Sequence, residues 1–185
     1  GNVYVMEYYN NRIKVFNSSG AYLRSFGGYG TGNCTRWAYA RQFAIYNDRI
    51  YIADTYNHRI KVLNLNGGCI YDVRSAYSYP HAIAVAPSYV YVGYSNSYIS
   101  VYERSSMSHV RTNYHSSLSY SWGMSVNSAF NKLVIADYVK NRVVEFTMSS
   151  GYNLVYSQAT STSYSSSNGY FRRPTDAAYD SSGNI

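Results

Sequence analysis

The chain has 185 residues, of which 46% are hydrophobic and 14% charged, and its formal net charge is +7. This length and apolar content suffice for one packed domain and exclude an intrinsically disordered chain. The 25 tyrosines argue against a helical bundle, because tyrosine and β-branched residues favour strands. No apolar run approaches the roughly 18 residues that a membrane span needs, so no membrane span is expected.

Strand-like segments recur in a fixed order along the chain. The first copy comprises "NVYVMEY" from Asn2, "RIKVF" from Arg12 and "AYLRSF" from Ala21. The second comprises "QFAIY" from Gln42, "RIYIADTY" from Arg49, "RIKVL" from Arg59 and "CIYDVRS" from Cys69. The third comprises "HAIAVA" from His81, "YVYVGYS" from Tyr89, "YISVY" from Tyr98 and "HVRTNY" from His109. The fourth comprises "GMSVN" from Gly123, "KLVIADYV" from Lys132, "RVVEF" from Arg142 and "YNLVYS" from Tyr152, and "TDAAYD" follows from Thr175.

Four short strands in each period of roughly 40 to 45 residues are typical of a propeller blade. The predicted fold is therefore an all-β β-propeller, with four four-stranded blades in this chain and almost no helix. We expect one domain over 1–185, with approximate repeats 1–42, 43–81, 82–122 and 123–185.

The most repetitive part is the turn that precedes "RIKVF" in the first copy, "RIKVL" in the second and "RVVEF" in the fourth. Asn11, Asn57 and Asn141 are expected to adopt the left-handed conformation of a tight turn. The arginine that follows each of them can reach a neighbouring carbonyl or a carboxylate. We interpret these residues as structural, and the set comprises Asn11, Arg12, Asp54, Asn57, Arg59, Asp137, Asn141 and Arg142.

The segment "RIYIADTYNHRIKVL" resembles the NHL-repeat family of β-propellers, whose blades carry a consensus like "NVYVADTGNHRIQVF". "NVYVMEYYNNRIKVF" and "LVIADYVKNRVVEF" are similar to it, whereas "YVYVGYSNSYISVY" lacks the Asp and the Arg. The resemblance implies the propeller fold and, since such propellers usually have six blades, a chain that is an excerpt of a longer array. It implies function only loosely, because propellers support many unrelated activities.

The end of the chain repeats its beginning, because "GNI" at 183–185 resembles "GNV" at 1–3. The segment Thr175–Ser182 is the innermost type of strand, which the first copy lacks. We therefore predict that it pairs with a strand beginning near Asn2, within one chain or between chains. Self-association through open propeller edges is a corresponding expectation.

The loops that join successive blades are expected to lie on one face and to form a binding surface for a protein or a glycan. They are rich in tyrosine, tryptophan and arginine, the residues enriched at interface hot spots. The candidate ligand-binding or partner-binding residues are Trp37, Tyr39, Tyr79, Tyr114, Tyr120, Trp122, Tyr170 and Arg172.

No catalytic or metal site is predicted, and no cofactor is expected. The four histidines, His58, His81, His109 and His115, lack metal-ligand spacing. One alternative function is that of an amidating-lyase-like metalloenzyme, because such propellers carry histidines around the axis and His81 begins an innermost strand. The other is a cytoplasmic propeller that binds RNA or protein, although the basic residues form no dense patch.

Two sequons, at Asn17 and Asn33, are candidate glycosylation sites and favour a secreted protein. A disulfide between Cys34 and Cys69 would suit the same compartment, but the sequence leaves open whether they are bonded. This bond requires the long loop after the first copy to descend along the outer edge of the second copy. The predicted function is that of a non-enzymatic, extracellular binding or structural module.

Overall fold

The computed structural model describes residues 1–116, 118–160 and 171–185, which form fifteen strands. The strands are β1 (Val3–Glu7), β2 (Arg12–Phe16), β3 (Tyr22–Gly27), β4 (Phe43–Tyr46), β5 (Arg49–Asp54), β6 (Arg59–Asn64), β7 (Cys69–Arg74), β8 (Pro80–Val85), β9 (Tyr89–Tyr94), β10 (Tyr98–Glu103), β11 (His109–Tyr114), β12 (Ser121–Val126), β13 (Lys132–Asp137), β14 (Arg142–Ser149) and β15 (Asn153–Ala159). In these residues the only helical segment is a 3-10 turn, Thr55–Asn57. No helix in this part of the chain could cross a membrane.

Neighbouring strands pair antiparallel in four separate sheets. Blade 1 contains β1–β2–β3, blade 2 contains β4 to β7, blade 3 contains β8 to β11, and blade 4 contains β12 to β15. The predicted all-β fold with four blades is confirmed. It differs from the expectation in one respect, because blade 1 has three strands among the described residues.

Hydrophobic side chains fill the space between successive blades. Strand β5 shows why both faces are apolar: Ile50 and Ile52 pack against blade 1, whereas Tyr51 and Ala53 pack towards blade 3. The same alternation gives three clusters, one between each pair of neighbouring blades. A strand buried on both faces therefore reads as a nearly continuous apolar run.

The innermost strands β4, β8 and β12 meet around the axis, where the side chain of Gln42 bridges them. Its Oε1 accepts hydrogen bonds from the backbone N–H of Ile83 at 2.8 Å and of Met124 at 3.2 Å. Its Nε2 donates to the carbonyl of Met124 at 3.1 Å. One amide thus ties the inner strands of blades 2, 3 and 4 together.

The segment 171–185 runs beside β12. A Cβ atom on Gly123 would lie 2.6 Å from the carbonyl oxygen of Thr175, so glycine is needed for this close approach. The hydroxyl of Tyr179 donates to Glu145 at 3.0 Å, and Gln42 donates to Asp176 at 3.3 Å. The segment is therefore held by side-chain contacts to the axis and to blade 4.

The predicted pairing of Thr175–Ser182 with a strand beginning near Asn2 is not formed within the chain, and pairing between chains stays a prediction. Among the described residues β1 pairs with β2 alone, and Val3 and Val5 are 53% and 44% exposed. The physical reason lies at Glu145, which occupies a position that is valine in blades 1 to 3 and offers a carboxylate to the segment. The polar contacts hold the segment to blade 4 instead.

The loop 28–42 descends along the outer edge of blade 2, where a disulfide joins Cys34 to Cys69 with a Cα–Cα distance of 5.6 Å. Beneath the loop lies Lys61, whose side chain is fully buried. Its ammonium group donates to the carbonyl of Asn33 at 3.2 Å and to Asp72 at 3.1 Å. The loop is therefore held at its tip by a covalent bond and a buried charge.

Candidate binding site at the mouth of the axis

A repeated hydrogen bond positions the loop between successive blades. Asn11 adopts a left-handed conformation with φ 51° and accepts from the backbone N–H of Tyr39 at 2.5 Å. Asn141, with φ 52°, accepts from Arg173 at 2.9 Å. The left-handed residue in the turn of one blade thus fixes the backbone of the segment that leads away from that blade.

The expectation for Asn57 was wrong. Asn57 lies in the 3-10 turn, and the left-handed residue of blade 2 is His58 with φ 55°. His58 Nδ1 accepts from the backbone N–H of Tyr79 at 3.0 Å, as Asn11 does for Tyr39. Asn57 instead donates to the carboxylate of Asp54 at 2.8 Å.

In blades 2 and 4 the carboxylate that ends the second strand, Asp54 or Asp137, holds the neighbouring loop. Asp137 accepts from the backbone N–H of Tyr120 at 3.1 Å and from Arg142 Nε at 3.3 Å. In blade 1, Arg12 pairs with Glu7. These contacts are internal to the scaffold.

Blade 2 departs from this pairing. Arg59 binds Asp72 at 3.1 Å, whereas Arg142 of blade 4 binds the carboxylate that ends the second strand. The buried Lys61 lies 3.6 Å from Asp54, whose Oδ1 accepts from the backbone N–H of Ala38 at 2.8 Å. Burial raises the pKa of Asp54 above its ordinary value, while these bonds act to lower it.

Five side chains surround the upper end of the axis, and we call them the axial mouth: Tyr8, Arg41, Tyr120, Trp122 and Tyr138. The Arg41 guanidinium lies 4.2 Å from the ring centre of Trp122 and 5.3 Å from that of Tyr8. Trp122 stacks on Tyr138 with ring centres 4.3 Å apart, and Tyr120 lies 5.5 Å from Trp122. An open cavity of about 420 Å³ is lined by Tyr8, Tyr9, Arg41 and Trp122.

A row of tyrosines continues from the mouth across blade 2, and we call Tyr39, Tyr56 and Tyr79 the tyrosine row. Tyr8 lies 5.4 Å from Tyr39, Tyr39 lies 5.3 Å from Tyr56, and Tyr56 lies 5.8 Å from Tyr79. Tyr56 and Tyr79 are 51% and 44% exposed. The mouth and the row form one aromatic surface with a single guanidinium between the rings of Tyr8 and Trp122.

His81 lies under the axial mouth and is almost fully buried. The hydroxyl of Tyr120 is 3.2 Å from His81 Nε2, and the rings of Trp122 and His81 are 5.9 Å apart. Burial, together with the nearby positive charge of Arg41, lowers the pKa of His81 to about 4. The imidazole is therefore neutral at pH 7.

The depressed pKa of His81 predicts a pH-dependent stability. Between about pH 6.5 and pH 4 the unfolded chain binds the proton that the folded chain excludes, so the free energy of unfolding falls as the pH drops through this range. Each unit of depression corresponds to about 1.4 kcal/mol. Urea unfolding at several pH values should show this fall, and a His81→Gln variant should lack that part of it. The same pH dependence in both proteins would contradict the assignment.

Four of the predicted binding residues come together in the structure: Tyr39, Tyr79, Tyr120 and Trp122. Trp37 does not belong with them, because it is 0% exposed and packs among Ile13, Ile50 and other core residues. A Cβ atom on Gly27 would lie 2.5 Å from its ring. The loop folds back so that Trp37 closes the core between blades 1 and 2, which excludes it from ligand binding.

Two of the other three predicted residues are not among the residues of the axial mouth, and the third is not among the residues that the structure describes. Tyr114 is 63% exposed and packs 5.3 Å from Tyr98, in a cluster separate from the axial mouth. Arg172 is exposed, next to Arg173. Tyr170 lies outside the described residues.

Sequence reasoning missed Tyr8, Tyr56 and Tyr138, which lie in the turns of the repeated motif. Because that motif was interpreted as structural, only the loops between blades were searched for binding residues. The signal that could have found two of them is their place in the repeat. Tyr8 directly follows the carboxylate that ends β1, and Tyr138 directly follows the one that ends β13. A residue at that place is carried to the mouth of the axis in blades 1 and 4.

The candidate glycosylation sites lie on different sides of the molecule and remain predictions. Asn17 begins the turn 17–21 at the lower end of blade 1, and its Oδ1 accepts from the backbone N–H of Ser19 at 3.0 Å. Asn33 is exposed at the tip of the loop, and its Oδ1 accepts from the hydroxyl of Thr35 at 3.0 Å.

No family model and no curated protein matches the sequence. Solved structures do match the fold, among them the hydrazine synthase of Kuenenia stuttgartiensis, with a TM-score of 0.66 and 13% identity over 85% of this chain and 45% of that one. The U3-55K structure matches with a TM-score of 0.70 and 10% identity, covering 98% of this chain and 55% of that one. The WD40 repeats of RRP9 give the same score and identity, with coverages of 98% and 54%. The chain spans about half the length of these structures, and at such identities the likeness shows a β-propeller fold alone.

Proposed function

We propose that this chain is a non-enzymatic, extracellular propeller of the NHL-repeat type that binds a partner protein through the axial mouth and the tyrosine row. The observation that carries the proposal is the position of Arg41, held between two aromatic rings at the entrance to the axis. Interface hot spots are enriched in tyrosine, tryptophan and arginine.

Two features support the extracellular part of the proposal. A disulfide between Cys34 and Cys69 persists in oxidising compartments and is rare in the cytosol. The sequon at Asn33 lies next to it, and Asn33 is exposed. Intact-mass measurement of the secreted protein tests this directly, because hexose additions exclude a cytosolic origin.

A glycan is the second candidate ligand, and the exposure of Tyr9 favours it. Tyr9 is 84% exposed at the edge of the cavity and presents an open ring on which a sugar can stack. The rings of the axial mouth are less suitable, because Arg41 and Tyr138 both lie against Trp122. A protein therefore remains the preferred ligand.

The metalloenzyme alternative receives no support from the axis. The positions equivalent to His81 in the other inner segments are Arg41, Trp122 and Thr175. In the described parts of the chain, no group of three or more His, Cys, Asp or Glu side chains is placed to hold a metal ion. His81 itself contacts aromatic rings.

Loss of binding should follow the removal of three rings from the proposed surface. We expect the Tyr8→Ala/Tyr56→Ala/Trp122→Ala variant to bind a partner captured from the medium of the producing cells at least about 30-fold more weakly than the wild type, since truncation of a hot spot typically costs about 2 kcal/mol. Surface plasmon resonance with the purified partner gives the dissociation constants. Circular dichroism confirms that the variant is folded.

The matched control removes three rings that lie away from the mouth: Tyr22, Phe130 and Tyr156. They are 57%, 37% and 38% exposed, so their truncation removes comparable aromatic surface from other parts of the blades. We expect this variant to bind as the wild type does. Unchanged binding by the mouth variant, or an equal loss in the control, would show that the partner uses another face.

A further inference from the structure

The arginine of the axial mouth is fixed in one orientation by its neighbours. Its guanidinium lies 4.2 Å from Trp122 and 5.3 Å from Tyr8. Trp122 is in turn held by stacking on Tyr138, with ring centres 4.3 Å apart. A side chain that ordinarily samples many rotamers is therefore pre-organised, and less entropy is lost when its N–H groups bind a ligand.

Arg41 differs from the arginines of the repeated motif because it has no acidic partner among the described residues. Those arginines each bind a carboxylate: Arg12 binds Glu7, Arg59 binds Asp72 and Arg142 binds Asp137. In the described part of the chain, no carboxylate lies within 4 Å of the Arg41 guanidinium. Its Nε is buried and has no hydrogen-bond acceptor there.

The acidic groups of the motif are already engaged in other interactions. Glu7 is shared between Arg12 and Lys14, and Asp137 holds a neighbouring loop and Arg142. The fold therefore leaves the charge of Arg41, at the entrance to the axis, without a counter-charge from the described residues. A buried donor without an acceptor costs free energy that a bound anion would recover.

We infer that Arg41 receives a carboxylate of the bound partner. This inference rests on the proposed binding function and assigns the chemistry of its central contact. The planar fork of a guanidinium matches the two oxygens of a carboxylate and forms two parallel hydrogen bonds with it. The cavity of about 420 Å³ beside Arg41 is open to solvent and admits such a group together with the side chain that carries it.

The arrangement favours a singly charged carboxylate over a phosphate. A second arginine, Arg173, lies 5.5 Å from the ring centre of Tyr138, whereas Arg41 lies against Trp122 and Tyr8. His81, beneath the mouth, is neutral at pH 7. One guanidinium therefore meets the ligand, whereas a phosphate carries close to two charges and usually binds a cluster of cations.

The carboxylate can come from an aspartate or glutamate side chain or from the C-terminus of a peptide. Four acetylated probes separate these sources: Gly-Tyr-Glu-Gly amide, its Gln counterpart, Gly-Tyr-Gly with a free carboxylate, and its amide. They are titrated into the full chain labelled with ¹⁵N, and the Nε–Hε signal of Arg41 and the indole signal of Trp122 are followed. The midpoint shifts give the dissociation constants.

We expect at least one carboxylate probe to bind about 10-fold or more tightly than its amide counterpart at low salt, because hydrogen bonds to charged groups are the stronger ones. An Arg41→Gln variant should reduce this preference to less than about 2-fold. An Arg41→Lys variant should keep part of it, since it retains the charge but not the fork. The pair of probes that shows the preference identifies the source.

The matched control is Arg36→Gln, which removes an exposed arginine from the same loop and should leave the preference intact. Equal binding of carboxylate and amide probes, a preference that survives Arg41→Gln, or no shift of either signal with any carboxylate probe would overturn the inference. The same variants distinguish failure of this inference from failure of the proposed function. If a partner no longer binds the three-ring variant but binds Arg41→Gln normally, the proposed function stands and the role of Arg41 is refuted.

Discussion

Replacement of Trp37 by alanine is expected to lower the free energy of unfolding by about 3 to 5 kcal/mol, the range found for large aromatic side chains removed from a core. Trp37 is 0% exposed and closes the hydrophobic cluster between blades 1 and 2. Its backbone N–H donates to Gly28 at 3.1 Å, and its carbonyl accepts from Gly30 at 3.2 Å, so the ring cannot leave without the loop. Equilibrium urea unfolding measures the loss.

Two variants make this test specific. Trp37→Phe keeps one aromatic ring in the core and removes the rest of the indole, including an N–H that has no partner among the described residues, so its loss should be smaller than that of Trp37→Ala. Gly27→Ala should also destabilise, because a methyl group there would lie 2.5 Å from the tryptophan ring and Gly27 has φ 111°. A Trp37→Ala protein as stable as the wild type would place this ring outside the core.

Reduction of the Cys34–Cys69 disulfide is expected to lower the free energy of unfolding by about 2 to 4 kcal/mol, the typical effect of closing a loop of this size in the unfolded chain. The two cysteines are separated by 35 residues and span the same loop that carries Trp37. The stabilisation should be visible as a higher urea midpoint in the oxidised protein than in the reduced one. Thiol titration of the native protein shows whether the bond is formed.

The control for the disulfide is a Cys34→Ala/Cys69→Ala variant, whose stability should match that of the reduced wild type and not respond to reductant. The buried Lys61 beneath the loop still binds the carbonyl of Asn33 in this variant, so the loop keeps one non-covalent anchor. Two free thiols in the native, unreduced protein would refute the bond.

The repeat could be predicted from the sequence because each strand carries its own local signal. Alternating side chains such as those of Ile50 to Ala53 and short polar turns mark the strands without knowledge of their neighbours. Left-handed turns at Asn11 and Asn141 were also predictable, since asparagine tolerates that conformation. In blade 2 this reasoning selected the wrong residue, although the turn has the same length as in blades 1 and 4. The residue directly before the arginine, which is Asn11 in blade 1 and Asn141 in blade 4, is His58 there, and His58 adopts the left-handed conformation.

The binding surface could be predicted only in part, because it depends on contacts between distant segments. Tyr39 and Tyr79 lie in loops, where exposure was a sound expectation. Trp37 lies in the same kind of loop, yet it is buried because the loop folds back against blade 1, and no local pattern encodes that path. Arg41 and Trp122 are 81 positions apart in the chain and meet only because the inner segments of blades 2 and 4 face one axis.

The two tryptophans of the chain occupy contrasting environments, and their emission can report on two separate parts of the molecule. Trp37 is enclosed between blades 1 and 2, so its emission reports on the integrity of that core. Trp122 lies at the axial mouth against Arg41 and Tyr138, where an arriving ligand changes its surroundings. A Trp37→Phe protein retains only Trp122, so its tryptophan emission reports on ligand binding at the axial mouth. A Trp122→Phe protein retains only Trp37, so its tryptophan emission reports on the unfolding of the core.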